Sequence, residues 1–402
     1  MKTVTDTGTA SFGVAIALGF LTLLGPTSID MYLPSLPVMA NELGTNYTTM
    51  QFTLTVFLLA MGGGQLIFGP IIDALGRRGP LLTAILIFVF TSVWSAWAST
   101  HESLIIARFF QGLAASLAIV TAMSSVRDVA EGARATQIFA LLMTVQGLGP
   151  VFAPAIGGLI GEAFGWRAIF LTLAALGILV LISSLIMLPE SLPAEKRTKL
   201  EFGEIFRTYT EILSDPKFLV PATALTLTFV FLFVYIGGSA FAYQKHYGLS
   251  PSHFGLVFGG TGFAVLLGAM LSARLAIHMA VQKLALIGSL AILIGTSIAL
   301  TSSMTPMGFY GIVIGMFVSL AGLGIAESTL MSIALAKRNK ALGSSAAILG
   351  ALPLMLGAAA TPLAAYLVQQ SSIWWLLCMV LIAVTCLFFC IMTVKLAGAP
   401  NR

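Results

Sequence analysis

Runs of about twenty apolar residues, separated by short polar connections, constrain this chain more than any other feature. Twelve of them fit the 402 residues, near 12–34, 47–70, 80–99, 103–126, 135–159, 166–188, 219–242, 252–275, 283–301, 307–334, 342–367 and 372–395. A run of that length crosses a bilayer as a helix, because lipid offers no partner for an open backbone. Barrel strands are about ten residues long and alternate in polarity, a pattern not found here. The predicted fold class is an all-α polytopic membrane protein. Composition agrees: 58% of residues are hydrophobic and 9% are charged, against about 25% charged in soluble domains.

The one long hydrophilic connection, Pro189 to Lys217, has six spans on either side. It divides the chain into an N-terminal unit 1–188, a linker 189–217 and a C-terminal unit 218–402. Within the linker, Phe202 to Leu213 has apolar residues at helical spacing and is expected to lie on the membrane surface as a short amphipathic helix. The run from Phe12 is too long for a signal peptide and is read as a retained first span.

Lysine and arginine placement sets the orientation. With the N-terminus inside, the inner side holds Lys2, Arg77, Arg78, Arg127, Arg134, Lys196, Arg197, Lys199, Arg207, Lys217, Arg274, Lys283, Lys337, Arg338, Lys340, Lys395 and Arg402. The outer side holds only Arg167 and Lys245. Seventeen against two is a strong positive-inside signal, and it places both termini in the cytoplasm. The basic pI near 9.2 therefore reflects topology and not nucleic-acid binding. Cys378, Cys386 and Cys390 all fall in the last span and read as small apolar residues. His101, His246, His253 and His278 sit near loops without metal-ligand spacing, so no metal and no cofactor is expected.

Three charges fall inside spans. A carboxylate at the centre of a span costs roughly 2.5–3.5 kcal/mol, and such groups tend to be functional. Asp30, in Thr27-Ser-Ile-Asp-Met-Tyr-Leu-Pro34, lies toward the outer end of span 1. It either snorkels or caps the break before Pro34, or it is a protonatable, cation-recognising group in a central cavity; the second reading is favoured. Arg108, in Arg108-Phe-Phe-Gln-Gly-Leu-Ala-Ala-Ser116, needs a partner, with Asp30, Gln111 and backbone carbonyls as candidates. Snorkelling is its bland reading; a buried arginine lining the cavity or stabilising a helix break is preferred. Glu327, in span 10, is open between a coupling or substrate role and hydrogen bonding near the inner mouth. Tyr32, Gln51, Gln111, Phe233 and Tyr235 are the further candidates for a cavity wall.

The polar loop Gly69-Pro-Ile-Ile-Asp-Ala-Leu-Gly-Arg-Arg78 separates spans 2 and 3. Gly69 and Gly76 permit a sharp turn. Asp73 is expected to cap the next helix and pair across the domain interface. Arg77 and Arg78 bridge to acids, with Asp128, beside Arg127, the obvious partner. Together they read as a latch on one gate position, or more simply as topogenic charge. Span 5 carries Gln146-Gly-Leu-Gly-Pro-Val-Phe-Ala-Pro-Ala-Ile-Gly-Gly158, expected to be kinked and closely packed. In span 7, Phe229, Phe231, Phe233 and Tyr235 face either lipid or a cavity. Trp166, Tyr243 and Tyr247 are candidate interfacial anchors.

These motifs resemble the major facilitator superfamily, and within it the twelve-span drug:proton antiporters of the bicyclomycin and chloramphenicol resistance group. Gly69 to Arg78 matches the superfamily's loop between spans 2 and 3. Arg108 with Gln111-Gly112 matches its span 4 arginine motif, and Gly149-Pro150 through Pro154 to Gly157-Gly158 its antiporter motif of span 5. Ile29-Asp-Met-Tyr-Leu-Pro34 resembles the group's span 1 signature. The resemblance implies two six-helix bundles around one central cavity that opens alternately to either side. It also implies that Asp30 responds to proton and substrate, that Arg108 takes part in proton relay, that Asp73, Arg77 and Asp128 form a cytoplasmic gate, and that Gly149 and Pro150 support bending. The loop between spans 8 and 9, Gly268 to His278, has no aspartate and no Gly-Arg pair, so the latch is asymmetric.

The expectation is a bacterial inner-membrane exporter of drugs or antibiotics driven by inward proton movement, or else of an endogenous metabolite such as an amino acid, sugar or nucleoside. Its partners are protons, a small molecule and the lipid bilayer, with no nucleic acid, and it is expected to be a monomer. No Gly-x-x-x-x-Gly-Lys-Ser/Thr sequence is present, which removes the usual ATP-binding loop. A channel needs a continuous polar lining and an enzyme needs clustered catalytic groups, and neither is apparent.

Overall fold

A computed structural model describes residues 12–198, 200–306, 308–336 and 341–398. Lys2, Lys199, Lys337, Arg338, Lys340 and Arg402, used above for orientation, lie outside the described residues. The first six spans are built from α1 (Phe12–Asp30), α2 (Leu36–Glu42), α3 (Tyr47–Leu75), α4 (Arg78–Ala96), α5 (His101–Val129), α6 (Gly132–Phe164) and α7 (Trp166–Met187). The linker contributes α8 (Phe202–Leu213). The last six are α9 (Pro216–Phe241), α10 (Pro251–Leu275), α11 (Val281–Ser302), α12 (Gly308–Leu335), α13 (Leu342–Gln370) and α14 (Ser372–Gly398). Among the described residues twelve helical segments are long and apolar enough to cross a membrane, α1 and α2 forming one of them around a break.

Most helices overrun their apolar runs. Span 5, expected over 135–159, extends from Gly132 to Phe164. Backbone hydrogen bonding continues past the point where side chains become polar, so hydropathy sets the centre of a helix and not its ends. Span 1 differs the other way. Its first helix stops at Asp30, followed by a tight turn Leu33–Ser35 and then α2.

Connections fall at two ends of the molecule. One end carries Arg77, Arg78, Arg127, Arg134, Lys196, Arg197, Arg207, Lys217, Arg274, Lys283 and Lys395, and is called the basic end below. The opposite, far end carries Arg167 and Lys245. Helices pack mainly within their own set of six, α3 on α5 and α4 on α7 in the first, α11 on α12 and α9 on α13 in the second. Two long seams join the sets, α3 with α13 and α6 with α10. On the first, Thr48 accepts from Gln369 Nε2 at 2.6 Å and Thr55 meets Thr361 at 2.8 Å. The second is a glycine seam. A Cβ added at Gly255, Gly259 or Gly262 of α10 would strike the carbonyl oxygens of Pro154, Val151 and Pro150 at 2.2, 2.3 and 2.8 Å.

Of the span 7 aromatics, Phe229 is half-buried and the other three face neither lipid nor an open cavity. Phe231, Phe233 and Tyr235 are buried in the last six spans. Tyr235 stacks on Phe258 and Trp375 and bonds Thr261 at 2.9 Å. Trp166 and Tyr243, expected as interfacial anchors, are buried as well. The Trp166 indole donates to Glu42 Oε2 at 2.8 Å, which locks the end of span 1 to the start of span 6. Cys386 and Cys390 are buried, free thiols.

Candidate functional site

The site begins at the break in span 1. Because α1 ends at Asp30, the Ser28 carbonyl has lost the N–H of Tyr32 that a continuing helix would supply. The Arg108 guanidinium of α5 fills that place, Nη2 donating to Ser28 O at 2.7 Å while Nη1 donates to Gln111 Oε1 at 2.6 Å. Gln111 in turn donates to Ser92 Oγ of α4 at 2.7 Å. Arg108 is fully buried, and among the described residues it makes no ion pair. Its charge rests instead between rings, with Phe57 at 4.2 Å, Tyr32 at 4.5 Å and Phe170 at 5.9 Å from Cζ. Electron-rich faces attract a desolvated guanidinium by about 2 kcal/mol. Gly112 allows this arrangement, since a Cβ there would lie 2.3 Å from Phe57 O and would push α3 with its ring away.

Asp30 is therefore not the partner of Arg108. It is buried, 3% exposed, and among the described residues its carboxylate has neither hydrogen bond nor ion pair. An isolated carboxylate in such surroundings is costly as a bare ion and is stabilised by a proton or by a cationic partner. Gly157 of α6 presses on the same break: its added Cβ would sit 1.8 Å from Met31 O. Gly149 packs on Pro26 of α1 and Gly158 on Pro251 of α10. The span 5 glycines thus hold α6 between the span 1 break and the α10 seam, and the helix stays continuous through Pro150 and Pro154.

The other candidates are dispersed. Tyr32 is buried with its hydroxyl 3.3 Å from Thr53. Gln51 donates to Tyr47 and to Gly237 O of α9 at 3.1 Å, so it joins the two sets of spans at the far end instead of lining an open space. Phe233 and Tyr235 belong to the packing of the last six spans and are covered in this conformation. Glu327 is half-buried on α12, apart from Asp30, and among the described residues has no hydrogen-bond or ion-pair partner.

At the basic end Arg77 is the centre of a network. Its Nε donates to Asp128 at 3.0 Å and Nη1 to Asp73 one turn back. Burial disfavours its charge, but the two carboxylates outweigh that and hold the guanidinium above its ordinary pKa. Asp73 does not cap α4, and the pairs stay within the first six spans. The cap is Glu190, the first acid after span 6, which accepts from the N–H of Arg77 at 2.9 Å, Arg78 at 3.2 Å and Leu192 at 3.1 Å. Burial would raise its pKa; these backbone donors, aided by Arg197, outweigh burial and hold it below the usual glutamate value. Gly76 has φ +96°, and a Cβ there would meet both Arg197 and Glu190 within 3 Å. Arg78 donates to Leu185 O at 3.0 Å, and Gly69 has nothing near its α-carbon that a side chain would strike. Arg127 lies beside Gly343 at the start of α13. Sequence reading missed Glu190 because a carboxylate in a loop after a span carries no mark of the turn it will cap.

A family model described as Major Facilitator Superfamily matches residues 18–349. The chain belongs to the Major Facilitator Superfamily. As a member it is a multi-pass membrane transporter and not an enzyme, and among the described residues no group of His, Cys, Asp or Glu is placed to hold a metal ion. It is 36% identical over 361 residues to an uncharacterized MFS-type transporter, YdgK, of Bacillus subtilis, covering 89% of each chain. It is 26% identical to a bicyclomycin resistance protein homolog of Haemophilus influenzae, over 87% of this chain and 88% of that one. It is 29% identical to the multidrug resistance protein MdtL of Vibrio parahaemolyticus, over 82% and 83%. The fold matches the crystal structure of a bacterial homolog of the human lysosomal transporter Spinster. The TM-score is 0.76 at 16% identity, over 98% of this chain and all of that one.

Proposed function

We propose that this superfamily member is a proton-coupled exporter of drugs or antibiotics in the bacterial inner membrane, with both termini in the cytoplasm. The unpartnered, buried Asp30 carboxylate at the span 1 break carries the reading. The likeness to resistance proteins along most of the chain supports the substrate class. The units 1–188 and 218–402 rock about the two seams, with 189–217 as their tether.

In the proposed cycle, deprotonated Asp30 admits substrate from the cytoplasm or the inner leaflet. The halves rock, protonation from outside releases the substrate, and the protonated, empty carrier returns. Proton and substrate exclude one another because both engage the same buried carboxylate, a cationic drug by its charge and a neutral one by hydrogen bonds to the ionised oxygens. Arg108 keeps the break in place, its two terminal nitrogens held by a carbonyl and an amide and its charge lying against aromatic faces, while among the described residues Nε is left without a hydrogen bond.

Transport in proteoliposomes under an imposed proton gradient tests the reading, with bicyclomycin, chloramphenicol, amino acids, sugars and nucleosides as the panel. Wild type moves a drug uphill only with the gradient, and Asp30→Asn loses that dependence. Uphill, gradient-coupled transport retained by Asp30→Asn would remove Asp30 from the mechanism. Uptake confined to an amino acid, sugar or nucleoside would favour the metabolite exporter.

A further inference from the structure

Several hydrogen bonds bridge the two sets of spans at the far end. Gln244, in the helical turn Ala242–His246 that follows α9, donates to Pro34 O at 2.8 Å, and Tyr47 and Gln51 donate to Gly237 O at 3.0 and 3.1 Å. These are neutral groups. The seam between α6 and α10 carries one more bridge of a different kind. Pro251 opens α10 and has no N–H, so Ser252 offers the first free donor of that helix. Ser250 caps the helix one position on, its Oγ accepting from His253 N at 3.3 Å. The Ser252 N–H is left over, and it donates to Glu162 Oε2 of α6 at 3.0 Å.

The placement of Glu162 follows from the seam. Gly158, one turn earlier, has no side chain, and α6 comes so near that a Cβ there would lie 2.5 Å from Pro251 O. Four residues on, a side chain on the same face of α6 arrives at the first turn of α10. A carboxylate there meets a free N–H and the positive end of a 25-residue helix together.

We infer that Glu162 is the charged bolt of the far-end seal: it caps α10 across the boundary between the two sets of six spans and favours the conformation closed at that end. The inference adds a conformation-setting residue to the rocking carrier proposed above and rests on that reading. Glu162 acts through the position of α10 and not on the substrate.

The test reads conformation and not transport, so it stands apart from the fate of Asp30. Spin labels are placed on Ser99→Cys in the first six spans and Thr305→Cys in the last, both exposed at the far end. Cys378, Cys386 and Cys390 are replaced by alanine. Glu162 is exposed, so Glu162→Ala is expected to raise the ratio of long to short distances about two- to fivefold, the scale of a surface charge at a helix N-terminus. Glu162→Gln keeps an acceptor without the charge and falls between. Glu42→Ala breaks the bonds to Trp166 and Arg167 at the same end but within the first six spans, and leaves the distances unchanged. A wild-type distribution in both Glu162 variants overturns the inference, as does an equal shift in Glu42→Ala. Should Glu162→Ala lose its monodisperse peak, Glu162→Gln decides alone.

Discussion

Gly157→Ala puts one methyl group against the backbone of the span 1 break. The new carbon would sit 1.8 Å from Met31 O, 2.5 Å from its carbonyl carbon and 2.7 Å from its Cα. None of these atoms is the free end of a side chain, so rotamer changes cannot relieve the clash. Ordinary contact begins near 3.4 Å, and α6 must retreat from the break by about 1.6 Å. Overpacking of this kind costs about 1–3 kcal/mol, equivalent to roughly 5- to 150-fold in the population of the close-packed state. The matched control is Gly63→Ala, where an added Cβ meets nothing within 4 Å. Thermal unfolding in detergent and gradient-driven transport are measured for both. Gly157→Ala is expected to lower the melting temperature and to slow transport at least fivefold, while Gly63→Ala matches wild type. Equal behaviour of the two variants would refute the claim that span 5 is seated against the break.

Other consequences are open to measurement. Arg108→Met leaves Ser28 O and Gln111 Oε1 without their donor, at about 1–3 kcal/mol each, so it unfolds earlier in a thermal melt; Arg108→Lys, with no planar fork, recovers only part of the loss. Arg77→Ala destabilises more than Arg78→Ala, by about 1–3 kcal/mol, because Arg77 is buried between two carboxylates whereas Arg78 donates to one carbonyl. Glu190→Ala removes the cap of α4 and lowers stability by about 1 kcal/mol near neutral pH. Since the folded protein holds the Glu190 pKa below its usual value, this contribution is complete above the usual glutamate range and fades as pH falls through the lowered one. Melts of wild type and Glu190→Gln should therefore converge on acidification; a gap that widens would contradict the assignment.

The sequence by itself determined the number of spans, their all-helical character and the family. Those properties rest on the length of apolar runs and on local motifs, which a bilayer forces into helices wherever they fall. It also singled out Asp30, Arg108 and the Asp73–Arg78 loop, because a charge inside an apolar run is conspicuous. What it could not supply was partnership. Arg108 had an acid, an amide and carbonyls within plausible reach, and only the packing of α5 on α1 and α3 chose Ser28, Gln111 and the rings of Tyr32, Phe57 and Phe170. Gln51, Phe233 and Tyr235 have the chemistry of a cavity wall, yet packing turned them into a bridge and a core. Nothing in the sequence marks Glu190, in the linker, or Glu162, in the last turn of α6, as a partner of another helix. Each became a helix cap because the fold brought a free N–H from a distant segment to its carboxylate, and backbone donors of that kind leave no trace in the order of side chains.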